Sequence, residues 1–202
     1  MNPSRPCGRC AYCLEGKPRH CLDMRFFGSA MRFAHVQGGF REVLVCAESQ
    51  AVPVPTDLPL EHAAFAEPLA VCLHAADRAG PLQGRRVLVT GAGPIGALAI
   101  LVARHAGARE VVATDLAEAP LAVARRIGAD LAVNMRTDPG ALDRFAASKG
   151  HFDAVFEASG SGAALASALQ VARPGAVVVQ LGLGGDITLP VNSIHPAKAA
   201  VV

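Results

Sequence analysis

The sequence predicts an α/β protein built on a doubly wound parallel sheet, with a small cysteine-rich lobe before it. Beyond residue 85, short apolar segments of strand length alternate with helical segments and are joined by short turns. A glycine-rich turn, Gly91-Ala-Gly93-Pro-Ile-Gly96, separates the first of these strands from the first helix. Four cysteines near the start of the chain have the spacing of a metal site. We therefore divide the chain into residues 1–57 and residues 58–202.

The first part of the chain is predicted to be mostly irregular. Residues 1–25 are polar and loop-like, and a short strand is predicted at residues 40–46. Pro53 and Pro55 then end this segment and keep the backbone extended. Residues 60–80 predict either one helix or two short ones.

The repeating part of the chain predicts five strands and four helices. Most of the helices are followed by a glycine that can terminate them. The predicted strands are residues 86–90, 110–115, 130–134, 152–157 and 176–181. The predicted helices are residues 94–106, 118–127, 140–149 and 163–172.

Composition excludes several classes of function. The 202 residues are 51% apolar and 18% charged, with a formal net charge of +2, whereas a nucleic-acid surface needs a dense basic stripe and disorder needs low hydrophobicity. Glycines and Pro94 interrupt the longest apolar stretch, residues 87–103, which argues against a membrane span. The N-terminus lacks the apolar core of a signal peptide. We expect a cytoplasmic protein with a small-molecule partner and no nucleic-acid or membrane partner.

The four cysteines predict a structural zinc site. Cys7, Cys10, Cys13 and Cys21 supply four thiolates, which complete a tetrahedral shell and leave no position open for water or substrate. Two disulfides are the alternative, but such frameworks belong to short secreted chains. A [4Fe–4S] cluster is a further alternative, although the seven-residue gap before Cys21 does not fit the bacterial ferredoxin spacing.

The glycine-rich turn predicts a dinucleotide site. Gly91 allows the tight turn, Gly93 lets the backbone approach a pyrophosphate, and Gly96 lets the helix pack on the strand. Pro94 and Ile95 then open the helix, whose N-terminus faces the phosphates. An acidic residue, Asp115, ends the next strand and can accept hydrogen bonds from ribose hydroxyls, which favours NAD over NADP.

Two later turns are candidates for the nicotinamide half of this site. They follow the fourth and fifth predicted strands, and ligands bind at the carboxyl ends of the strands in this architecture. The candidate residues in them are Gly160, Leu181 and Gly182. Ordinary loop glycines remain the alternative for these turns.

A four-cysteine lobe before such a nucleotide site resembles the zinc-dependent medium-chain alcohol and polyol dehydrogenases. Ala66-Glu67-Pro68-Leu69-Ala70-Val71 is similar to the Glu-Pro segment of the sorbitol dehydrogenase branch, and Thr114-Asp115-Leu116 to the NAD site of that branch. Residues 21–40 are most similar to the L-idonate 5-dehydrogenases. The resemblance covers about residues 2–194.

The resemblance implies that residues 1–57 belong to a GroES-like β domain and residues 58–202 to a Rossmann domain that binds NAD, with NADP as the other option. It also implies an oxidoreductase that transfers hydride from a secondary hydroxyl of a polyol or sugar acid, L-idonate being the best match. A catalytic zinc polarises that hydroxyl in the family. Glu67 matches an acidic position of its shell, as a ligand or as a partner of the zinc-bound water. Relatives are mostly dimers or tetramers, so a homo-oligomer is expected.

The same resemblance predicts that the chain is a fragment lacking both ends. In the family, a Cys and a His-Glu pair of the catalytic zinc site precede the four-cysteine loop. The sequence after Ile194 does not resemble the family's sixth strand. We therefore expect that strand to be missing, and we expect a chain that binds zinc and NAD without oxidising polyols.

Two other functions are compatible with the residues. One is a non-catalytic NAD-binding module whose four-cysteine lobe contacts a partner protein. The other is a zinc-ribbon nucleic-acid binder, suggested by basic residues around the cysteines, although those charges are typical of a solvated loop.

Overall fold

The computed structural model describes residues 1–29, 32–188 and 199–201. The chain forms two compact units, Met1–Pro59 and Leu60–Val202, and the sequence predicted a boundary after residue 57. The predicted departure from the family after Ile194 falls largely outside the described residues. None of the helices in the described part of the chain is long and apolar enough to cross a membrane.

The first unit contains little regular structure. Two short strands, β1 (Ser4–Arg5) and β2 (Arg25–Phe26), pair antiparallel, and a short helix, α1 (Ala11–Leu14), lies between them. Single 3₁₀ turns form at Pro18–His20 and Glu48–Gln50. The buried Gln50 donates its amide to the carbonyl oxygens of Asn2 and Ser4, at 3.0 and 3.3 Å. Gln50 therefore ties the end of this unit to its beginning.

The strand predicted at residues 40–46 does not form, so this prediction was wrong. These residues have no strand pairing in the described part of the chain, and the side chains of Phe40, Val43 and Val45 are exposed. An apolar, β-branched segment becomes a strand only where its backbone N–H and C=O groups pair with a neighbouring strand.

The second unit begins with two helices, α2 (Leu60–Ala63) and α3 (Ala66–Ala79), as one of the two predicted alternatives had it. Strands and helices then alternate along the chain. They are β3 (Arg86–Thr90), α4 (Pro94–His105), β4 (Glu110–Asp115), α5 (Glu118–Arg126), β5 (Leu131–Asn134), β6 (Phe152–Glu157), α6 (Gly162–Val171), β7 (Ala172–Gln180) and β8 (Ala199–Val201).

The strands form one parallel sheet in the order β5-β4-β3-β6-β7-β8. The predicted doubly wound fold is confirmed, because the chain runs outward from β3 to β5 and then returns to continue on the other side. The prediction that the sixth strand is missing was wrong. The short β8 pairs with Ala176–Val178 of β7 and so covers backbone groups that would otherwise form an open edge.

The helix predicted at residues 140–149 is replaced by two 3₁₀ turns, Asp143–Phe145 and Ala147–Lys149. Leu142 is buried, and Phe145 packs against the ring of Phe152 with centroids 5.0 Å apart. These two anchors are three residues apart, a spacing that places both on one face of a single helical turn. The segment is also interrupted by left-handed backbone at Ser148.

The core of the second unit lies on both faces of the sheet. Val87 and Val89 of β3 are fully buried in a cluster that includes residues of α3 and α4. The intervening Leu88 is equally buried in a second cluster, with Leu165 and Leu169 of α6. Burial of successive residues is expected of a parallel strand covered by helices on both sides.

Candidate functional site

The four cysteines of the first unit converge on one point. Cys7 and Cys10 precede α1, Cys13 lies in it, and Cys21 follows the 3₁₀ turn at Pro18–His20. Their Sγ atoms all lie within 4.8 Å of one another. Sulfurs around a tetrahedral zinc are about 3.8 Å apart, because each Zn–S bond is about 2.3 Å long. The cluster therefore fits a zinc ion after a small contraction.

Backbone amides surround this cluster and shift its thiol pKa values in opposite directions. The amides of Leu22 and Cys13 lower the pKa of Cys10 to about 6, and the amides of Arg9 and Cys10 lower the pKa of Cys7. Desolvation, followed by the neighbouring Cys10 sulfur, raises the pKa of Cys13 to about 12. The backbone thus already stabilises thiolates at part of the site, as a metal-binding loop requires.

The glycine turn after β3 is shaped by close backbone contacts. Gly91 has φ +83°, and a Cβ at this position would lie 2.8 Å from the backbone nitrogen of Ser159. A Cβ at Gly96 would overlap the carbonyl oxygen of Gly91. By contrast, a Cβ at Gly93 would meet nothing within 4 Å, so this residue faces open space where a phosphate can approach. Pro94 is the first residue of α4.

Asp115 joins this turn to the end of β4. One carboxylate oxygen accepts from the amide of Ala92 at 2.8 Å, and the other accepts from Leu116 and Ala117 at 2.7 and 2.9 Å. A carboxylate has about four lone-pair sites, so these three bonds leave room for one further donor, on the oxygen that faces Ala92. The arrangement suits one ribose hydroxyl better than two.

Sequence reasoning missed Glu157, the last residue of β6. It is fully buried and accepts hydrogen bonds from Thr90 Oγ1 at 3.2 Å, from the amides of Ser159 and Gly160 at 2.9 and 3.0 Å, and from Gln180 Nε2 at 2.6 Å. The Ser159 hydroxyl also donates to it. The one available signal was an acid that directly follows the apolar residues Ala154, Val155 and Phe156 at the end of a predicted strand.

The predicted nicotinamide-side residues meet around Glu157. A Cβ at Gly182 would overlap the amide nitrogen of Gly160, and a Cβ at Gly160 would lie too close to the carbonyl oxygen of Leu183. The turns after β6 and β7 therefore touch backbone to backbone. Leu181, which begins the second turn, is half-buried against the core.

Glu67 is the one predicted metal ligand that lies in the second unit. It lies in the first turn of α3 and is exposed, and its carboxylate has no hydrogen bond or ion pair among residues 1–29, 32–188 and 199–201. In the same ranges, the four cysteines are the only group of three or more His, Cys, Asp or Glu side chains close enough to share a metal ion. The described residues thus form the four-cysteine site, whereas Glu67 belongs to no such group of potential metal ligands.

Comparison with known families matches both units. The family model described as "Zinc-binding dehydrogenase" matches residues 94–202, and "Alcohol dehydrogenase GroES-like domain" matches residues 1–56. The chain belongs to the zinc-binding dehydrogenase family. The resemblance predicted from the sequence is therefore confirmed.

Curated members of the family match most of this chain. An L-idonate 5-dehydrogenase (NAD(P)(+)) of Escherichia coli K12 is 46% identical over 185 residues, which are 92% of this chain and 53% of that protein. An L-threonine 3-dehydrogenase of Saccharopolyspora erythraea is 38% identical over 89% of this chain and 51% of its own length. The chain thus spans about half the length of the curated relatives it matches.

Solved structures give the same result. The crystal structure of L-idonate 5-dehydrogenase from Escherichia coli K-12 superposes with a TM-score of 0.93 at 43% identity, covering 100% of this chain and 58% of that one. A structure from Sinorhizobium meliloti 1021 bound to NADP has a TM-score of 0.88 at 30% identity, covering 98% of this chain and 58% of that one.

Proposed function

We propose that this chain supplies the nucleotide-binding domain and the structural zinc lobe of a dehydrogenase. Its substrate would be a polyol or sugar acid oxidised at a secondary hydroxyl, with L-idonate as the first candidate. The turn at Gly91–Gly96, joined to Asp115 through the amide of Ala92, carries this proposal. Its similarity to an L-idonate 5-dehydrogenase over 92% of the chain supports the choice of substrate class.

NAD is the proposed cofactor. The pyrophosphate would lie against the backbone of Gly93 and the N-terminus of α4, where unpaired amides and the helix dipole favour an anion. Asp115 would accept from one ribose hydroxyl and repel a 2′-phosphate, so NADH would bind more tightly than NADPH. When bound, the nicotinamide supplies the hydride-accepting chemistry, and the residues of this chain hold and orient it.

Zinc has a structural role in this proposal. Cys7, Cys10, Cys13 and Cys21 would fill all four positions around the ion, so the site holds the lobe together and binds no substrate. Glu67 would belong to a different, catalytic site. A catalytic zinc takes three protein ligands, and Glu67 would supply one of them or contact the zinc-bound water. We therefore propose that this chain by itself binds zinc and NADH without oxidising polyols.

Metal analysis combined with nucleotide binding tests the proposal. We expect one zinc per chain, a saturable increase in NADH fluorescence, and no NADH production from NAD and L-idonate. Two zinc ions per chain with idonate-dependent NADH production would contradict the proposed lack of turnover. The absence of NADH binding would contradict the proposed function itself.

The variant Asp115→Asn tests the cofactor preference. It keeps the size of the side chain and removes its charge, so we expect the ratio of NADPH to NADH dissociation constants to fall by about tenfold, equivalent to about 1.4 kcal/mol. Asp138→Asn is the matched control, because the exposed Asp138 makes no side-chain hydrogen bond within the described residues. A ratio unchanged in Asp115→Asn would argue against this role.

The alternative of a non-catalytic module makes a different prediction. In that case the lobe would contact a partner protein, and NADH binding would never lead to polyol oxidation. Joining this chain to the parts of the Escherichia coli L-idonate 5-dehydrogenase that lie outside the matched 53% of that protein distinguishes the two. Oxidation of L-idonate by the chimera supports the dehydrogenase, whereas a folded, zinc-loaded and inactive chimera supports the module.

A further inference from the structure

We infer that Glu157 is a positioning residue of the dinucleotide site, whose buried carboxylate holds the turns after β3, β6 and β7 together as one rim for the nicotinamide half of the cofactor. This inference rests on the proposed function. The inference extends the proposed function by assigning a role to Glu157, which belongs to no glycine motif and to no metal site.

The donors to Glu157 come from three separate segments. Thr90 ends β3, Ser159 and Gly160 form the turn after β6, and Gln180 ends β7. Gln180 Nε2 also donates to the carbonyl oxygen of Gly182 at 2.8 Å, which extends the connection into the turn after β7. One side chain thus contacts the carboxyl ends of three neighbouring strands.

Both carboxyl oxygens of Glu157 receive hydrogen bonds. Oε2 accepts from the amide of Gly160 and from Gln180 Nε2, which can only donate. Oε1 accepts from the amide of Ser159 and also contacts the hydroxyls of Thr90 and Ser159. Within the described part of the chain, Glu157 makes no ion pair with Lys, Arg or His.

A buried carboxylate is an unfavourable choice for packing alone. Its neighbours in β6, Val155 and Phe156, are fully buried and apolar, and an apolar side chain at Glu157 would avoid the desolvation cost. The carboxylate also forces Gln180 to present its NH₂ group, which leaves Gln180 Oε1 buried without a partner. These costs are understandable if the hydrogen bonds of Glu157 hold backbone that an apolar residue cannot hold.

Close backbone contacts couple the three turns. A Cβ at Gly91 would lie 2.8 Å from Ser159, and Cβ atoms at Gly182 and Gly184 would overlap Gly160. The turn containing Ser159 and Gly160 is therefore confined between the turns after β3 and β7. If this turn loses its hydrogen bonds to Glu157 and moves, the turns after β3 and β7 must move with it.

This rim lies at the place where the fold binds ligands. The strand order reverses between β3 and β6, and ligands of doubly wound sheets bind outside the carboxyl ends of the strands at that switch point. The adenosine half is assigned to Asp115 on the β4 side. The turns held by Glu157 are thus left for the nicotinamide half.

The experiment compares two nucleotides in the variant Glu157→Gln of the full chain. This change keeps the shape and replaces one acceptor oxygen with an NH₂ group that faces donors. We expect the NADH dissociation constant to rise at least tenfold, while the AMP dissociation constant stays within twofold. Amide hydrogen exchange at Ser159 and Gly160 should also be faster in this variant, because their hydrogen bonds to Glu157 are weakened.

Glu110→Gln is the matched control. Glu110 is another acid of the sheet, but it is half-buried, begins β4 and pairs with His151 Nε2 at 2.7 Å. Glu110 lies at the opposite, amino-terminal edge of the strands, so we expect the Glu110→Gln variant to bind NADH and AMP with unchanged affinity. Thr90→Val removes a single donor to Glu157 at nearly constant volume and should raise the NADH dissociation constant about threefold, even if Glu157→Gln fails to fold.

The possible results separate this inference from the proposed function. Normal NADH affinity in both Glu157→Gln and Thr90→Val overturns the inference alone. Equal losses of NADH and AMP affinity also overturn it, because they indicate a general structural role. Failure of the unmodified chain to bind NADH overturns the proposed function and this inference with it.

Discussion

Asp115 and Glu157 show how differently two carboxylates of one site can be predicted. Asp115 could be found from sequence because it ends the strand after a glycine-rich turn, where a dinucleotide fingerprint places its acid. Glu157 belongs to no such motif, and its donors Thr90 and Gln180 lie 67 and 23 residues away. Only pairing of the strands brings these donors to one carboxylate.

Glu67 illustrates the limit of a residue predicted by resemblance. The structure places it at the start of α3, where the helix dipole stabilises an acid irrespective of any metal. Its proposed catalytic role therefore depends on ligands that the described residues do not bring to it.

Zinc affinity should increase with pH because the cysteine ligands must lose their protons. Before metal binds, the pKa of Cys13 is about 12, so its thiol is protonated at neutral pH, whereas Cys10, with a pKa of about 6, is mostly thiolate. At least one proton is then released per zinc, and the affinity should rise by at least about tenfold between pH 7 and pH 8. Competition with a coloured chelator at each pH measures this.

The variant Cys46→Ser is the control for that experiment, because Cys46 lies outside the four-cysteine cluster. It should keep the zinc affinity and pH dependence of the unmodified chain. An affinity that does not change between pH 7 and pH 8 would show that the thiols are already ionised before zinc binds.

Among the secondary-structure elements, local patterns predicted those whose conformation is set locally. The turn at Gly91–Gly96 was predictable since left-handed backbone and close approach both require glycine. The segment at residues 140–149 was not, because its buried anchors, Leu142 and Phe145, select a 3₁₀ turn only after Phe152 and its neighbours supply the surface. Helical propensity alone does not contain that information.

The contact between the turns after β6 and β7 should make glycine essential at residue 182. In Gly182→Ala the new methyl would overlap the amide of Gly160 and come within 2.8 Å of Glu157 Oε2. Backbone atoms cannot move aside as side chains can, so we expect the free energy of unfolding to fall by about 1–3 kcal/mol. Denaturant titration measures this loss.

Gly185→Ala is the matched control in the same turn. A Cβ at Gly185 meets nothing within 4 Å, and its φ is not in the left-handed range. Its unfolding free energy should stay within about 0.5 kcal/mol of the unmodified chain. Equal stability of the two variants would show that the turn relaxes and that the contact is not restrictive.

At the scale of the whole molecule, the two units differ in what holds them together. In the first unit, the described residues that are buried are Cys21 and Gln50. In the second unit, apolar clusters cover both faces of the sheet. A unit with so small a core requires a metal or another cross-link to remain folded.

Removal of zinc should therefore unfold the first unit selectively. After treatment with a strong chelator, we expect rapid proteolysis within residues 1–59, while residues 60–188 remain protected by their own core. Readdition of zinc should restore the protection. Identical cleavage patterns with and without chelator would mean that hydrogen bonds such as those of Gln50 hold this unit without metal.

The sequence by itself determined the cysteine cluster, the glycine turn and the alternation of strands and helices. Each depends on residues close together in the chain, whose spacing limits the backbone conformations available. The tertiary structure decided that residues 40–46 form no strand, that Ala199–Val201 adds a sixth strand, and that Glu157 joins three turns. These outcomes depend on contacts between backbone and side-chain groups at a sheet edge. Such contacts form only when segments that are distant in sequence pair as strands.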